Sequence, residues 1–281
     1  MNESQLKKAT RFVALHARKG AFVIPNPWDA GSARLLTGLG FEALATTSGG
    51  LAFSRGVRDG ARAVTRNQAI ANAKEIVDAT SLPVAADLEN GYGDSPGEVA
   101  ATIRMACEEA GLVGGSIEDA TGNTRHPLYA FDHAVERVAA AAEAARALPV
   151  PFVLAGRCEN YLHGRPDLDD TIRRLQAYEA AGADLLFAPG LTRADDIRTV
   201  CQALRKPVNV LGGLAAPGET PLSIAELASL GVRRISVGSA LSRAALGGFL
   251  RAAEELRESG TFNFLGGAIP FAELQEIMGG G

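Results

Sequence analysis

Three carboxylates stand where apolar, strand-like runs give way to polar loops: Asp87, Glu89 and Glu118. Asp87 and Glu89 are two positions apart, so they share one face of an extended chain. Glu118 closes the next apolar run, and adjacent parallel strands lie about 4.8 Å apart, which brings it toward Asp87. Hard oxygen donors in an incomplete shell suit Mg²⁺, with Mn²⁺ as the second choice, because Mg²⁺ keeps several waters and takes further ligands from substrate. The competing reading has strand-end carboxylates capping helices or pairing with arginines. Clustering of all three favours the metal.

Two further features could hold an anion. Thr46-Thr47-Ser48-Gly49-Gly50 combines small hydroxyls with glycine amides, the composition of a backbone nest for a carboxylate or phosphate. Arg157, at the end of another apolar run, offers a planar fork to a substrate carboxylate, or a structural salt bridge to a neighbouring acid. His126 is a candidate general acid or base, since histidine titrates near neutrality. Its place before Pro127 on a polar loop equally fits plain surface. Tyr92 and Trp28 are candidates to line the pocket, and Trp28 fits barrel packing as well.

Eight short apolar runs would have to position these groups: 22–25, 43–47, 83–87, 113–118, 152–156, 185–188, 207–211 and 234–237. Amphipathic stretches such as 99–109, 134–147 and 171–181 lie between them. Alternation of buried strands and covering helices predicts a parallel sheet, and eight even units predict a closed (β/α)₈ (TIM) barrel over an open doubly wound sheet. Glycines 40, 111, 182 and 231 each separate a helix from the next strand, which permits short αβ turns. The opposite connections, 47–65, 89–97, 119–132 and 157–169, are longer and carry the polar residues. In a barrel such loops gather at the C-terminal face, where active sites sit. The reading is one domain over 1–281, with an apolar helical appendage from about 249 that needs a partner surface.

Composition narrows the function classes. The net charge is −4, no basic block stands out, and no apolar run is long enough to span a bilayer. Neither a nucleic-acid nor a membrane partner is expected. Cys107, Cys158 and Cys201 form no metal-like spacing, and their odd number fits a reduced, cytoplasmic protein. The polar start leads into a helix, with no signal core.

In chain order these pieces resemble the isocitrate lyase/phosphoenolpyruvate mutase superfamily over nearly the whole length. The matching stretches are 25–34, 47–50, Gly56-Val57-Arg58-Asp59, 87–93, Ile117-Glu118-Asp119, Gly156-Arg157 and Ala181-Gly182-Ala183-Asp184. The resemblance implies a barrel that oligomerises, as a homodimer or homotetramer, through an exchanged C-terminal helix. It implies Mg²⁺ held through Asp87, with Glu89, Glu118 and Asp59 as direct or water-mediated ligands. Ser48, Gly49 and Gly50 would bind one end of a small 2-oxo or 2-hydroxy carboxylate and Arg157 the other. Arg157, His126 and Asp59 are the catalytic candidates, and Tyr92 and Asn123 join the substrate pocket. A 2-oxo acid would chelate the cation, which would stabilise the charge of an enolate as the bond to C3 breaks.

The departures from the family pattern concern the residues over C3. Isocitrate and methylisocitrate lyases carry a Lys-Lys/Arg-Cys-Gly-His loop after the fourth strand. Here the segment is Ala120-Thr121-Gly122-Asn123-Thr124-Arg125-His126-Pro127-Leu128-Tyr129, with neither cysteine nor lysine. The phosphonate-handling members place a histidine at the end of the sixth strand, where this chain has Pro189. Carbon–carbon lyase chemistry on a small oxo acid is therefore expected. The alternatives are phosphonopyruvate-type P–C chemistry, oxaloacetate decarboxylation or hydrolysis, and a non-catalytic oxo-acid binding protein. A Schiff-base aldolase is disfavoured because no lysine falls at a strand end, and Gly238 fits helix packing better than a phosphate site.

Overall fold

Four of the helix starts are written in short-range chemistry. Asp29 with Ser32, Thr65 with Gln68, Ser95 with Glu98 and Ser223 with Glu226 each form a reciprocal capping box that satisfies otherwise orphaned amides. The computed structural model describes residues 3–60 and 62–279. Residues 1, 2, 61, 280 and 281 of the expected 1–281 span lie outside them.

The first half of the chain runs α1 (Glu3–Ala17), β1 (Phe22–Ile24), α2 (Ala30–Gly38), β2 (Leu44–Ala45), α3 (Ser48–Ser54), α4 (Arg66–Asp78), β3 (Val84–Asp87), α5 (Pro96–Glu108) and β4 (Gly114–Glu118). The second half runs α6 (Phe131–Arg146), β5 (Val153–Arg157), α7 (Leu168–Ala180), β6 (Leu185–Phe187), α8 (Ala194–Ala203), β7 (Val208–Leu211), α9 (Ile224–Ser229), β8 (Arg234–Ser236) and α10 (Ala240–Ser259). A 3₁₀ turn at Asn263–Gly267 and α11 (Phe271–Gly279) complete it. All eight expected strands are present, paired in parallel in the order β1-β8-β7-β6-β5-β4-β3-β2.

The sheet is a nearly closed (β/α)₈ barrel. At the seam between β1 and β2 the Ala45 amide donates to the Pro25 carbonyl at 3.0 Å, and Asn26 Nδ2 donates to the Thr46 carbonyl at 3.0 Å. Asn26 Oδ1 accepts from the Val237 and Gly238 amides, both at 2.9 Å, so one buried side chain ties the ends of β1, β2 and β8. The expected αβ glycines have left-handed backbone, with φ of 81° at Gly40, 75° at Gly111, 108° at Gly182 and 101° at Gly231. A Cβ there would strain each turn.

Helix α1 packs against the N-terminal end of the barrel and buries Ala9, Phe12 and Leu15. Phe12 fits because Gly114 has no side chain: a Cβ there would stand 2.7 Å from the Phe12 ring. Burial of such a ring contributes roughly 1.5–3 kcal/mol. The main apolar cluster lies between the strands and helices α1, α2 and α4–α6, and a second one lies between β5–β8 and α6–α9. The expected start of the appendage, near 249, falls inside α10, which begins at Ala240. Phe249, Phe262, Leu265 and Phe271 beyond it are largely exposed.

Candidate active site

Strand register brings the expected residues together. Asp87 pairs in register with Ser116, and Glu118 with Arg157, so β3, β4 and β5 present an acid, an acid and a base at one end of the barrel. Arg157 is the hub. Its Nη1 lies 3.2 Å from Asp87 Oδ1 and 3.3 Å from Glu118 Oε2, while its Nε donates to Glu159. Its guanidinium also sits 5.1 Å from the centre of the Phe187 ring. Burial works against the Arg157 charge, yet Glu159, Glu118 and Asp87 together raise its proton affinity well above the ordinary arginine range.

The remaining acids crowd around this hub. Asp87 Oδ2 accepts from the Ser48 hydroxyl at 2.9 Å, and Asp87 Oδ1 accepts from the Glu89 amide at 3.2 Å. Burial, with repulsion from Asp87 and Asp59, pushes Glu89 up to about 7, opposed by a hydrogen bond from Tyr92. Asp59 stands at the rim and is raised by loss of hydration and by Asp87, with Ser48 acting the other way. Glu118 is pushed well up by burial against the pull of Arg157, helped by Glu159, Asp87 and Glu89. Glu89 and Tyr92 take positive φ, 47° and 56°, around Gly91 at 79°. Strained backbone of this kind is concentrated at ligand-handling loops.

Ser48, Gly49 and Gly50 open α3 after the Thr47 cap. A Cβ on Gly49 would meet Asp59 Oδ2 at 3.0 Å, and one on Gly50 would stand 2.8 Å from Trp28 Cβ. The two glycines thus let Asp59 and Trp28 close on this turn. Ser48, Gly49, Asp59, Asp87 and Arg157 line one cavity of about 190 Å³. An adjoining cavity of about 220 Å³ is lined by Ser48, Asp59, Glu89, Glu118, Arg157, Glu159 and His163.

Hard carboxylate oxygens, with Asp59, Glu89 and Glu118 pushed toward their neutral forms by burial first and by neighbouring acids second, are a donor set that a divalent cation fits. Among the described residues no three Asp, Glu, His or Cys side chains form a ready-made cage. Asp87 is instead engaged by Arg157 and Ser48, and the other acids stand around it. Such a set leaves room for the waters that Mg²⁺ retains.

Other expected residues lie elsewhere. His126 and Asn123 are exposed on the 119–129 loop and line neither cavity. Asn123 Oδ1 accepts from the Arg125 amide within the loop. Tyr92 hydrogen-bonds Glu89, lines neither cavity and packs among apolar residues. Gly93 makes room for the Glu98 side chain. Cys158 is buried and packs among apolar residues.

Three side chains escaped sequence reasoning. Glu159 is two positions beyond Arg157, and that alternation was the available signal. His163 lines the cavity with Nε2 3.8 Å from Glu159 Oε2. Asp119 is buried beneath the site, accepting from Tyr178 Oη at 2.6 Å, Arg174 Nη1 at 3.1 Å and the Glu159 amide at 2.8 Å. It fixes the chain that carries Glu159.

The loop over the site is tied down at both ends. Thr121 and Pro127 share a backbone hydrogen bond of 2.8 Å, and the Tyr129 amide donates to the Asp119 carbonyl at 2.9 Å. Arg62 clamps it from the 55–65 segment, donating to the Thr121 carbonyl and pairing with Asp94 at 2.6 Å.

Comparison with known proteins identifies the family. The profile of the phosphoenolpyruvate phosphomutase family matches residues 12–257. A crystal structure described as a lyase/mutase of Burkholderia cenocepacia superposes with a TM-score of 0.93 at 59% identity, covering 98% of this chain and 96% of the other. An uncharacterised protein of Mycobacterium tuberculosis is 34% identical over 264 residues, 94% of each chain. An oxaloacetate decarboxylase of a Bradyrhizobium species is 33% identical over 216 residues, 75% of this chain and 70% of that one. Lyases and mutases make up the wider group, and that kinship supports a lyase-type enzyme. Sequence, barrel and site together lead to one assignment: the chain belongs to the phosphoenolpyruvate phosphomutase family, within the isocitrate lyase/phosphoenolpyruvate mutase superfamily.

Proposed function

We propose that the protein is a Mg²⁺-dependent carbon–carbon lyase acting on a small 2-oxo or 2-hydroxy carboxylate. The observation that carries this reading is the convergence of Asp59, Asp87, Glu89 and Glu118 around Arg157 beside the Ser48–Gly50 turn. Asp87 would hold the cation, with Glu89, Glu118 and Asp59 reaching it directly or through water. When bound, Mg²⁺ or Mn²⁺ would supply electron withdrawal at the substrate's keto oxygen.

The chain's own groups do the rest. The Ser48 hydroxyl and the amides of the turn orient a carboxylate. Arg157 is fixed by three acids through Nη1 and Nε, and Nη2 has no hydrogen bond among the described residues, so it is free to bind substrate. Leu162 and Phe187 narrow the cavity against water. His163, near Glu159, is the imidazole within the cavity lining and the group placed to move a proton at Nε2. The three free cysteines support a reducing, cytoplasmic setting. No helix of the described residues is long and apolar enough to cross a membrane.

Turnover of a panel of 2-oxo and 2-hydroxy acids, with and without chelator, tests the reading. Chelator-sensitive release of a pyruvate-type product is the expected result, and turnover that survives excess chelator would overturn the metal assignment. One observation favours a second reading, a non-catalytic oxo-acid binding protein: the 119–129 loop carries no cysteine or lysine and its histidine faces solvent. Metal-dependent binding without turnover of any acid in the panel would select it.

A further inference from the structure

One deeply buried arginine gives all its side-chain hydrogen bonds to a single loop. Arg137, on α6, is 1% exposed and forms no ion pair among the described residues. Its Nη1 donates to the Gly93 carbonyl at 2.8 Å and to the Asp94 carbonyl, and its Nη2 donates to the Asn90 carbonyl. Its Nε has no partner, and its guanidinium lies 4.1 Å from the centre of the Tyr129 ring. Burial lowers its proton affinity, opposed by Tyr129, Asp94 and Glu98. Arginines this deeply buried are ordinarily paired with an acid. Arg137 lines neither cavity of the site.

The loop it holds is the one that carries Glu89. Glu89, Gly91 and Tyr92 have φ of 47°, 79° and 56°. Such left-handed residues persist where their surroundings fix them. Their run also denies the loop a regular ladder, so its carbonyls take donors from outside. The Glu118 amide donates to the Glu89 carbonyl at 3.0 Å, and the Thr102 hydroxyl to the Gly91 carbonyl at 2.6 Å. Arg137 supplies Asn90, Gly93 and Asp94, with His133 Nε2 also 2.9 Å from the last carbonyl. Tyr129 adds a second tie: its hydroxyl accepts from Asn90 Nδ2 at 3.0 Å and donates to Asp94 at 2.5 Å. Glu89 and Asn90 line the cavity shared with Glu118 and Arg157.

We propose that Arg137 is a positioning residue for the cation site: by holding the carbonyls of Asn90, Gly93 and Asp94 it fixes the left-handed backbone that presents Glu89 to the cavity. Its planar fork matters, because one Nη serves Asn90 while the other serves Gly93 and Asp94. This rests on the metal reading of the acid cluster. It goes beyond that reading by assigning the geometry of one acid to a base outside both cavities.

Two measurements on the full chain, both well below its melting temperature, test this. One is calorimetric titration with Mg²⁺ alone. The other, without metal, is hydrogen exchange of the Gly91 and Tyr92 amides, which donate to the Leu88 carbonyl at 2.8 Å and to Asn90 Oδ1 at 3.0 Å. Arg137→Lys keeps the charge but cannot span the three carbonyls. It should bind Mg²⁺ roughly three- to tenfold more weakly and exchange both amides faster, with the amides of β6 unchanged. Arg137→Met should weaken Mg²⁺ binding by roughly ten- to hundredfold. A purely structural role would lower the melting temperature and leave Mg²⁺ affinity and the two amides at wild-type values. Either reading unchanged in Arg137→Lys, or faster exchange throughout the barrel, overturns the proposal and leaves the metal reading standing. An Arg137→Met variant that folds and loses no more affinity than the lysine variant also overturns it; if the methionine variant does not fold, Arg137→Lys alone decides. A wild type that binds no Mg²⁺ removes the metal reading and the proposal with it.

Discussion

Arg157 Nη1 stands 3.2 Å from Asp87 Oδ1, so the carboxylate proposed to hold a cation is also paired with an arginine. Asp87 also raises the proton affinity of Asp59, Glu89 and Glu118. Removing its charge therefore weakens one ion pair and relieves three repulsions. Asp87→Asn should leave the melting temperature without metal nearly unchanged, within about 1 kcal/mol of stability, because Arg157 keeps Glu118 and Glu159. The same variant should lose the Mg²⁺-dependent rise in melting temperature. Thermal melts at several Mg²⁺ concentrations read both effects.

Arg157→Lys keeps the charge and loses the fork. A lysine cannot reproduce contacts to Asp87, Glu118 and Glu159 with a donor left for substrate. Binding of oxalate should weaken by roughly 1–3 kcal/mol in calorimetry. Unchanged affinity would place the substrate carboxylate elsewhere.

Glu89 sets a pH dependence of stability. Its carboxyl moves from an ordinary 4.5 to about 7 on folding, mainly through burial and then through Asp87 and Asp59. Between those values the folded protein holds a proton that the unfolded chain has released, so stability falls as pH rises from about 4.5 to 7 and then levels. The shift corresponds to at most roughly 3 kcal/mol. Glu89→Gln should flatten this part of the melting profile measured without metal, and added Mg²⁺ should do the same for the wild type.

The loop over the site should act as a gate. His126 faces solvent, so His126→Gln is expected to change the turnover number by less than about twofold. Arg62→Ala removes the clamp on the Thr121 carbonyl and on Asp94 and should lower turnover by roughly tenfold. A silent His126 with a damaging Arg62 variant marks a gate, whereas a large His126 effect would mean that the loop swings inward during turnover.

Exposed Phe249, Phe262, Leu265 and Phe271 form the apolar tail that the sequence leaves without a partner. Self-association through this tail, as a homodimer or homotetramer, would cover them. Light scattering should show an oligomer, and Phe249→Glu with Phe271→Glu should shift it toward monomer without changing the barrel's circular dichroism.

Legibility in the sequence tracked how local each signal is. The eight apolar runs and the four helix-ending glycines depend on neighbours in the chain, and all reappear in the barrel. Asp87, Glu118 and Arg157 were visible because strand ends of a parallel barrel share one face. Glu159 was lost when the fifth strand was closed at Gly156, although β5 runs to Arg157. His126 and His163 look alike as polar loop residues; the path of each loop alone sends one to solvent and the other to the cavity. Arg233 and Arg234 are adjacent and chemically identical, and only the pleat of β8 sends Arg234 inward.

The seam between β1 and β2 gives the barrel a soft line. Elsewhere neighbouring strands share continuous ladders, but here the join is the Ala45–Pro25 bond and the Asn26 side chain. Two residues separate Ser48–Gly50 from β2, while Asn26 follows β1 and lines the same cavity. A ligand gripping this turn stiffens one lip against the other, so occupancy is written into the breathing of the wall. The Ala45 amide thus becomes a natural reporter, its hydrogen exchange slowing as the site fills.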